Sequence, residues 1–163
     1  MGEMLAELLS CGYCVYHDLQ MEKGGNIDHI VIGLSGVYAI ETKCSSKQKS
    51  IQGRKEHFIQ FTGSSLIYPH TENSFGINQA KRNAAWLSRF LSSAIGERVH
   101  VNGMLVFPGW WIESKIKMSK EFRVLNHKNV AKCILGDSQN TLNEKQIRQI
   151  NHQLERECRS ELI

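Results

Sequence analysis

Two apolar runs in this chain are broken by charged residues. The first is Ile27-Asp28-His29-Ile30-Val31-Ile32, and the second is Val37-Tyr38-Ala39-Ile40-Glu41-Thr42-Lys43. A charge among β-branched and aromatic residues is costly to bury unless it is paired or bound to a metal. The four residues Gly33-Leu34-Ser35-Gly36 read as a turn joining the runs into an antiparallel hairpin. Ile32 then faces Val37, and carrying that register four residues back along each arm sets Asp28 opposite Glu41. Opposed residues hold their Cβ atoms about 4.5–5.5 Å apart on one face. Lys43, two positions beyond Glu41, projects to the same face. A register shifted by two keeps this grouping, whereas a shift by one scatters it across both faces.

Two carboxylates that close repel, so they need a cation or a shared proton. Oxygen donors alone favour a hard ion, Mg²⁺ or Mn²⁺, over zinc, with waters and a backbone carbonyl completing an octahedron. Such an ion lowers the pKa of water and offsets charge on a phosphate under attack. An ammonium beside it can orient or help deprotonate the water, or stabilise the developing negative charge. This is equipment for phosphodiester hydrolysis. The competing reading is an Asp–Lys or Glu–Lys ion pair at a sheet edge.

The elements that would position these groups follow from hydrophobic periodicity. Residues 3–11 read as a helix with Met4, Leu5, Leu8 and Leu9 on one face, stopped by Gly12. Residues 13–19, 27–32 and 37–43 read as strands. Both faces of the hairpin are apolar, with Ile30, Ile32, Val37 and Ala39 on one and Ile27, Val31, Tyr38 and Ile40 on the other, so both must be covered. A helix from about Gln79 to Ala94 carries the stripe Ala80, Ala84, Leu87, Leu91 and Ala94. Residues 99–107 and 122–125 read as strands, and 58–61 and 66–68 as short ones. Thr141-Leu142-Asn143-Glu144 fits a capping box opening a last helix, with the stripe Ile147, Ile150, Leu154 and Cys158. The order predicts an α/β fold of three layers, a central mixed sheet flanked by helices, as a single domain over residues 1–163.

The 163 residues, 41% hydrophobic and 22% charged, suit an ordinary globular domain. No run of about 18 apolar residues suggests a membrane span, and no signal peptide is visible. The chain opens directly on a helix-like segment, as a piece of a longer protein would. Five scattered cysteines fit a reducing compartment, hence a cytoplasmic location. Cys11-Gly12-Tyr13-Cys14 has CxxC spacing but falls at the end of a helix, where a left-handed Gly12 explains it better than redox or zinc chemistry. The net charge of +4 permits a polyanionic partner, and Lys43, Lys47, Lys49, Arg54 and Lys55 crowd one stretch. A second cluster is Lys115, Lys117 and Lys120.

The run Gly25-Asn26-Ile27-Asp28-His29-Ile30-Val31-Ile32-Gly33, followed by Gly36-Val37-Tyr38-Ala39-Ile40-Glu41-Thr42-Lys43, closely resembles the nuclease-related (NERD) domain family, grouped with the PD-(D/E)XK restriction-endonuclease-like superfamily. Gly2-Glu3, Gln79 and Trp86 agree with it, and the resemblance covers most of residues 2–107. The segment Phe75-Gly76-Ile77-Asn78-Gln79 lacks the proline that often precedes the family's glutamine. The resemblance implies a restriction-endonuclease-like fold with Asp28, Glu41 and the Thr42 carbonyl as ligands of Mg²⁺ or Mn²⁺. It implies Lys43 as the catalytic lysine, Glu3 approaching from the first helix with Glu7 as competitor, and Gln79 positioning lysine, water or substrate. The expectation is a metal-dependent nuclease of low sequence specificity acting on nucleic acid, with DNA favoured, and a homodimer possible. Lys47, Lys49, Arg54 and Lys55 would contact the phosphate backbone. The alternative is a non-cleaving nucleic-acid-binding or interaction module on the same fold. His29 and His17 read as structural, Trp86 as core rather than a base platform, and Trp110-Trp111 as a loop packed on the core.

Overall fold

The computed structural model describes residues 2–44 and 56–159. Lys47, Lys49, Arg54 and Lys55 lie outside the described residues, as does the side chain of Cys158. Along the chain come α1 (Gly2–Ser10), β1 (Cys14–Gln20), β2 (Asn26–Gly33) and β3 (Gly36–Thr42). Three short strands follow, β4 (Phe58–Phe61), β5 (Leu66–Ile67) and β6 (Glu72–Asn73), then α2 (Phe75–Ile95). The remainder is β7 (Val101–Val106), β8 (Trp111–Ser114), β9 (Phe122–Leu125), α3 (Val130–Gly136) and α4 (Glu144–Arg159).

The central sheet has the order β1-β2-β3-β7-β9. Its first three strands are an antiparallel meander, and β7 and β9 add in parallel. On one face Ile30, Ile32, Val37 and Ala39 pack against Leu87 and Leu91 of α2 and Ile150 and Leu154 of α4. On the other, Val31, Tyr38 and Ile40 pack against Leu5 and Leu8 of α1 and Val130, Ala131 and Ile134 of α3. This is the expected α/β arrangement of sheet between helical layers. Burial of each large aliphatic side chain contributes about 1.5–3 kcal/mol, which is why the apolar faces dictate the layering.

The hairpin has the expected register, with Ile32 opposite Val37, but its turn is shorter. Only Leu34-Ser35 form it, and Gly33 pairs with Gly36, whose φ of 142° favours glycine. A Cβ on Gly33 would sit 2.3 Å from the Tyr13 ring, so the missing side chain is what lets that ring lie on the hairpin.

Helix α1 ends in a Schellman motif. Gly12, at φ 85°, donates its N–H to the Leu9 carbonyl, and the Tyr13 N–H reaches the Leu8 carbonyl, both at 3.1 Å. Cys11 and Cys14 are both free thiols flanking this cap, and Cys11 is exposed.

Several expectations need correction. Ile27 joins the α2/α4 core rather than the α1/α3 one: strict alternation along β2 fails between Ile27 and Ile30, level with the gap in the β1–β2 pairing at Asp18 and Asp28. The capping box of α4 lies two residues later than read. Asn143 Oδ1 accepts the Gln146 N–H at 2.8 Å and Gln146 Oε1 accepts the Asn143 N–H at 3.0 Å. Thr141 instead donates its hydroxyl to the Ser35 carbonyl. Ala94 is exposed, and Ile95 packs on the core in its place. The segment after residue 56 contributes to a second sheet, β6-β5-β4-β8, whose inner residues Ile59, Phe61 and Leu66 meet Ile77, Phe107 and Trp110 in a third core. Trp110 is buried as expected, while Trp111 is 70% exposed.

Candidate active site

Glu41 occupies the end of β3 and is only 4% exposed. Three side chains donate to its carboxylate. Lys43 Nζ and Gln79 Nε2 reach Oε1 at 2.9 and 2.6 Å, and Asn83 Nδ2 reaches Oε2 at 3.2 Å. Lys43 Nζ also donates to Gln79 Oε1 at 2.7 Å. Glu41, Lys43 and Gln79 thus form a closed triangle. The strand beneath is fixed by the Lys43 N–H, which donates to the Val106 carbonyl at 2.9 Å.

Helix α2 can deliver Gln79 and Asn83 because they stand one turn apart, at i and i+4. Ile77, Ala80, Ala84 and Leu87 bury the same helix against the sheet. Asn83 also donates to the Asn26 carbonyl at 3.3 Å, joining the helix to the start of β2.

Asp28 approaches from β2. The β2–β3 pairing runs from Gly33–Gly36 to His29–Ile40 and ends one step short of Asp28 and Glu41. Asp28 Oδ2 accepts the Thr42 N–H at 2.8 Å, and Asn26 Nδ2 lies 3.4 Å from Oδ1. Burial pushes the Glu41 carboxyl above its ordinary pKa; the Lys43 hydrogen bond opposes this, and the charge on Asp28 adds to it.

The donor set fits a hard divalent cation. Asp28 and Glu41 supply hard carboxylate oxygens. Among the described residues no group of three or more His, Cys, Asp or Glu side chains forms a metal cage. Magnesium is commonly held by just one or two carboxylates, with waters and phosphate oxygens in the other positions.

Glu3 is not brought to this group. It lies exposed on α1, whose buried side chains pack on the opposite face of the sheet from α2, and Glu7 is likewise exposed. Thr42 is at the site through its backbone, and its hydroxyl is buried without a hydrogen-bond partner among the described residues. His29 is half-buried and shares a 2.8 Å Nδ1–Nδ1 contact with His17 across the β1–β2 pair. Burial and then the His17 charge hold its pKa down. Asn83 was not anticipated. Its signal was a polar residue interrupting the apolar stripe of α2, four positions after Gln79.

The nuclease-related domain family model matches residues 1–108. The chain belongs to the nuclease-related domain family. The matched span contains Asp28, Glu41, Lys43, Gln79 and Asn83, and the PD-(D/E)XK placement is consistent with it. No curated protein and no solved structure matches the chain.

Proposed function

We propose that this nuclease-related domain is a metal-dependent nuclease that hydrolyses phosphodiester bonds, of DNA in the first place, with low sequence specificity. The observation that carries the reading is the Lys43 ammonium, held at 2.9 Å from Glu41 and 2.7 Å from Gln79 beside the Asp28 carboxylate. An ammonium has three donors. Two are committed to Glu41 and Gln79, leaving the third for a water or a phosphate oxygen. The Lys43 side chain is 33% exposed, so an incoming phosphate can reach it.

Asp28, Glu41 and the Thr42 carbonyl would hold Mg²⁺ or Mn²⁺, which would supply charge neutralisation at the phosphate and a more acidic water. Lys43 orients the attacking water and stabilises negative charge developing on the phosphoryl oxygens. Gln79 holds Lys43 and Glu41 in a fixed relation. Asn83 fixes the far oxygen of Glu41, so the carboxylate keeps its orientation as substrate binds. Basic residues Lys47, Lys49, Arg54 and Lys55, with the net charge of +4, favour a polyanion and offer no base-reading element.

The test is cleavage of single-stranded, duplex and supercoiled DNA and of RNA, with Mg²⁺, Mn²⁺ or EDTA. Lys43→Ala should lower the rate by about 10²–10³-fold, the cost of one electrostatic stabiliser of a transition state. Metal-dependent cutting that survives in Lys43→Ala and in Glu41→Ala would overturn the assignment.

A further inference from the structure

Beside the Glu41–Lys43–Gln79 triangle lies a cavity of about 510 Å³, walled by the β1–β2 connection on one side and α2 on the other. Gln79, Asn83 and Asn26 line its inner end, so it opens directly onto the proposed site. Lys23, Arg82 and Arg89 line the rest, and no carboxylate does. All three cations are exposed, and among the described residues none has an ion pair. Trp86 lies between the two arginines on α2. As expected from the sequence, its ring packs against the α2/α4 core, and it stacks on Phe90 with centroids 5.1 Å apart and planes 8° from parallel, but it is only part-buried. A second cavity of about 410 Å³ continues along the helix past Trp86 and Arg89, with Glu22 at its border.

Unpaired cations next to an aromatic ring in a concave groove are what binds a single nucleic-acid strand: the charges follow phosphates and the ring stacks bases. A base inside a duplex is stacked on its neighbours and cannot reach such a ring without leaving the helix. A cavity of this size admits one small-molecule-sized group. We infer that this groove holds a single strand next to Glu41 and Lys43, with phosphates on Lys23, Arg82 and Arg89 and an unstacked base against Trp86. The inference rests on the nuclease reading of the same site and gives it a substrate form: single-stranded or locally unpaired DNA.

The test is binding, measured separately from cleavage. Fluorescence anisotropy of labelled oligo-dT and of a blunt duplex of equal length, in EDTA with the full chain, gives affinity and its salt dependence. Oligo-dT should bind the more tightly. The Arg82→Gln/Arg89→Gln protein should lose about 1.4 from the log–log salt slope for oligo-dT, about 0.7 per phosphate contact on a single strand. Trp86→Leu should weaken oligo-dT binding about tenfold or more, while Trp86→Phe retains most of it. If Trp86→Leu fails to fold, the exposed arginines carry the test. Equal or tighter duplex binding, no binding to oligo-dT at low salt, or an unchanged salt slope in the arginine variant would overturn the inference. Metal-dependent cleavage without single-strand preference would sink this inference alone. Single-strand binding without cleavage in any metal would sink the nuclease reading alone.

Discussion

Replacing Asn83 by alanine isolates the least obvious member of the site. The substitution removes two hydrogen bonds: one to the Glu41 carboxylate at 3.2 Å and one to the Asn26 carbonyl at 3.3 Å. Bonds to charged groups contribute about 1.5–3 kcal/mol and neutral ones about 0.5–1.5. Both distances are at the long end of the normal range, which places the sum near its lower bound, about 2 kcal/mol. For a domain of this size that is a drop in Tm of roughly 4–8 °C. Asn83→Asp keeps the shape but sets a carboxylate against Glu41, so it should melt lower still. Cleavage should fall about tenfold in Asn83→Ala, the rate effect of one lost positioning bond worth about 1.4 kcal/mol. Thermal melting and the cleavage rate of the two variants, beside wild type, decide the matter. An Asn83→Ala protein that melts and cuts like wild type would show that Glu41 does not need this support. An Asn83→Asp protein more stable than Asn83→Ala would refute the electrostatic part of the reasoning.

Two further predictions concern the scaffold. Arg123 meets Asp137 through two bonds of 2.7 and 3.0 Å, and Tyr38 Oη donates to the same carboxylate at 2.8 Å. Burial pushes Asp137 up, but the Arg123 guanidinium and the Tyr38 hydroxyl hold its pKa below the ordinary carboxylate value. A folded-state pKa below the unfolded one stabilises above about pH 4 and is lost as pH falls through the folded value. Arg123→Ala should therefore cost about 3–5 kcal/mol at neutral pH, with the deficit shrinking in acid. Urea unfolding across pH checks this, and a pH-independent deficit would count against it. Gly33→Ala sets a Cβ 2.3 Å from the Tyr13 ring. It should cost about 1–3 kcal/mol through overpacking, read as a lower urea midpoint, and an unchanged midpoint would mean that the ring moves freely.

What could be read from the sequence was local and periodic. The hairpin register followed from a strict period of two in runs apolar on both faces, because a slip by one residue would turn Asp28, Glu41 and Lys43 out of register with the core. The helix stripe of α2 and its Gln79 were legible for the same reason at period 3.6. Asn83 was hidden because Lys81, Arg82 and Asn83 together fill the gap between Ala80 and Ala84, and a polar run between stripe positions looks like an ordinary solvated helix face. Its meaning comes from a carboxylate some forty positions earlier in the chain. Two strands of the second sheet, 58–61 and 66–68, were legible as short apolar runs and appear as β4 and β5, but β6, β8 and the pairing were hidden, because β4 finds its parallel partner far along the chain in β8, with Phe58 opposite Trp111. Strands that short carry no usable alternation, and the pairing is set by tertiary contacts such as Phe61 and Trp110 in one core. Ile27 was misplaced because the break in alternation between Ile27 and Ile30 leaves no mark in composition. Helix α3, with seven residues, was too short for a helical period to emerge.

The site has an energetic asymmetry that predicts how a cation should act on the fold itself. Glu41 is buried and its pKa is raised, by desolvation first and by the nearby Asp28 charge as well. A raised carboxylate pKa means that at neutral pH the ionised form costs stability rather than contributing it. A divalent cation at Asp28 and Glu41 would reverse that sign, because it binds the folded arrangement and not the unfolded chain. The gain grows as RT ln(1 + [L]/Kd), about 2.7 kcal/mol at a hundred times Kd. For a domain of this size that corresponds to roughly 5–10 °C in Tm. Mg²⁺ or Mn²⁺ should therefore raise the melting temperature of wild type in a saturable way, and EDTA should abolish the rise. Asp28→Asn and Glu41→Gln should lose the response while remaining folded, because each leaves one carboxylate with neighbouring donors. Melting curves that coincide with and without either cation would show that the carboxylates are held by their protein donors, Lys43, Gln79, Asn83 and the Thr42 N–H, without a metal. They would then form a structural ion pair rather than a metal site. A rise that persists in both variants would place the cation elsewhere on the chain.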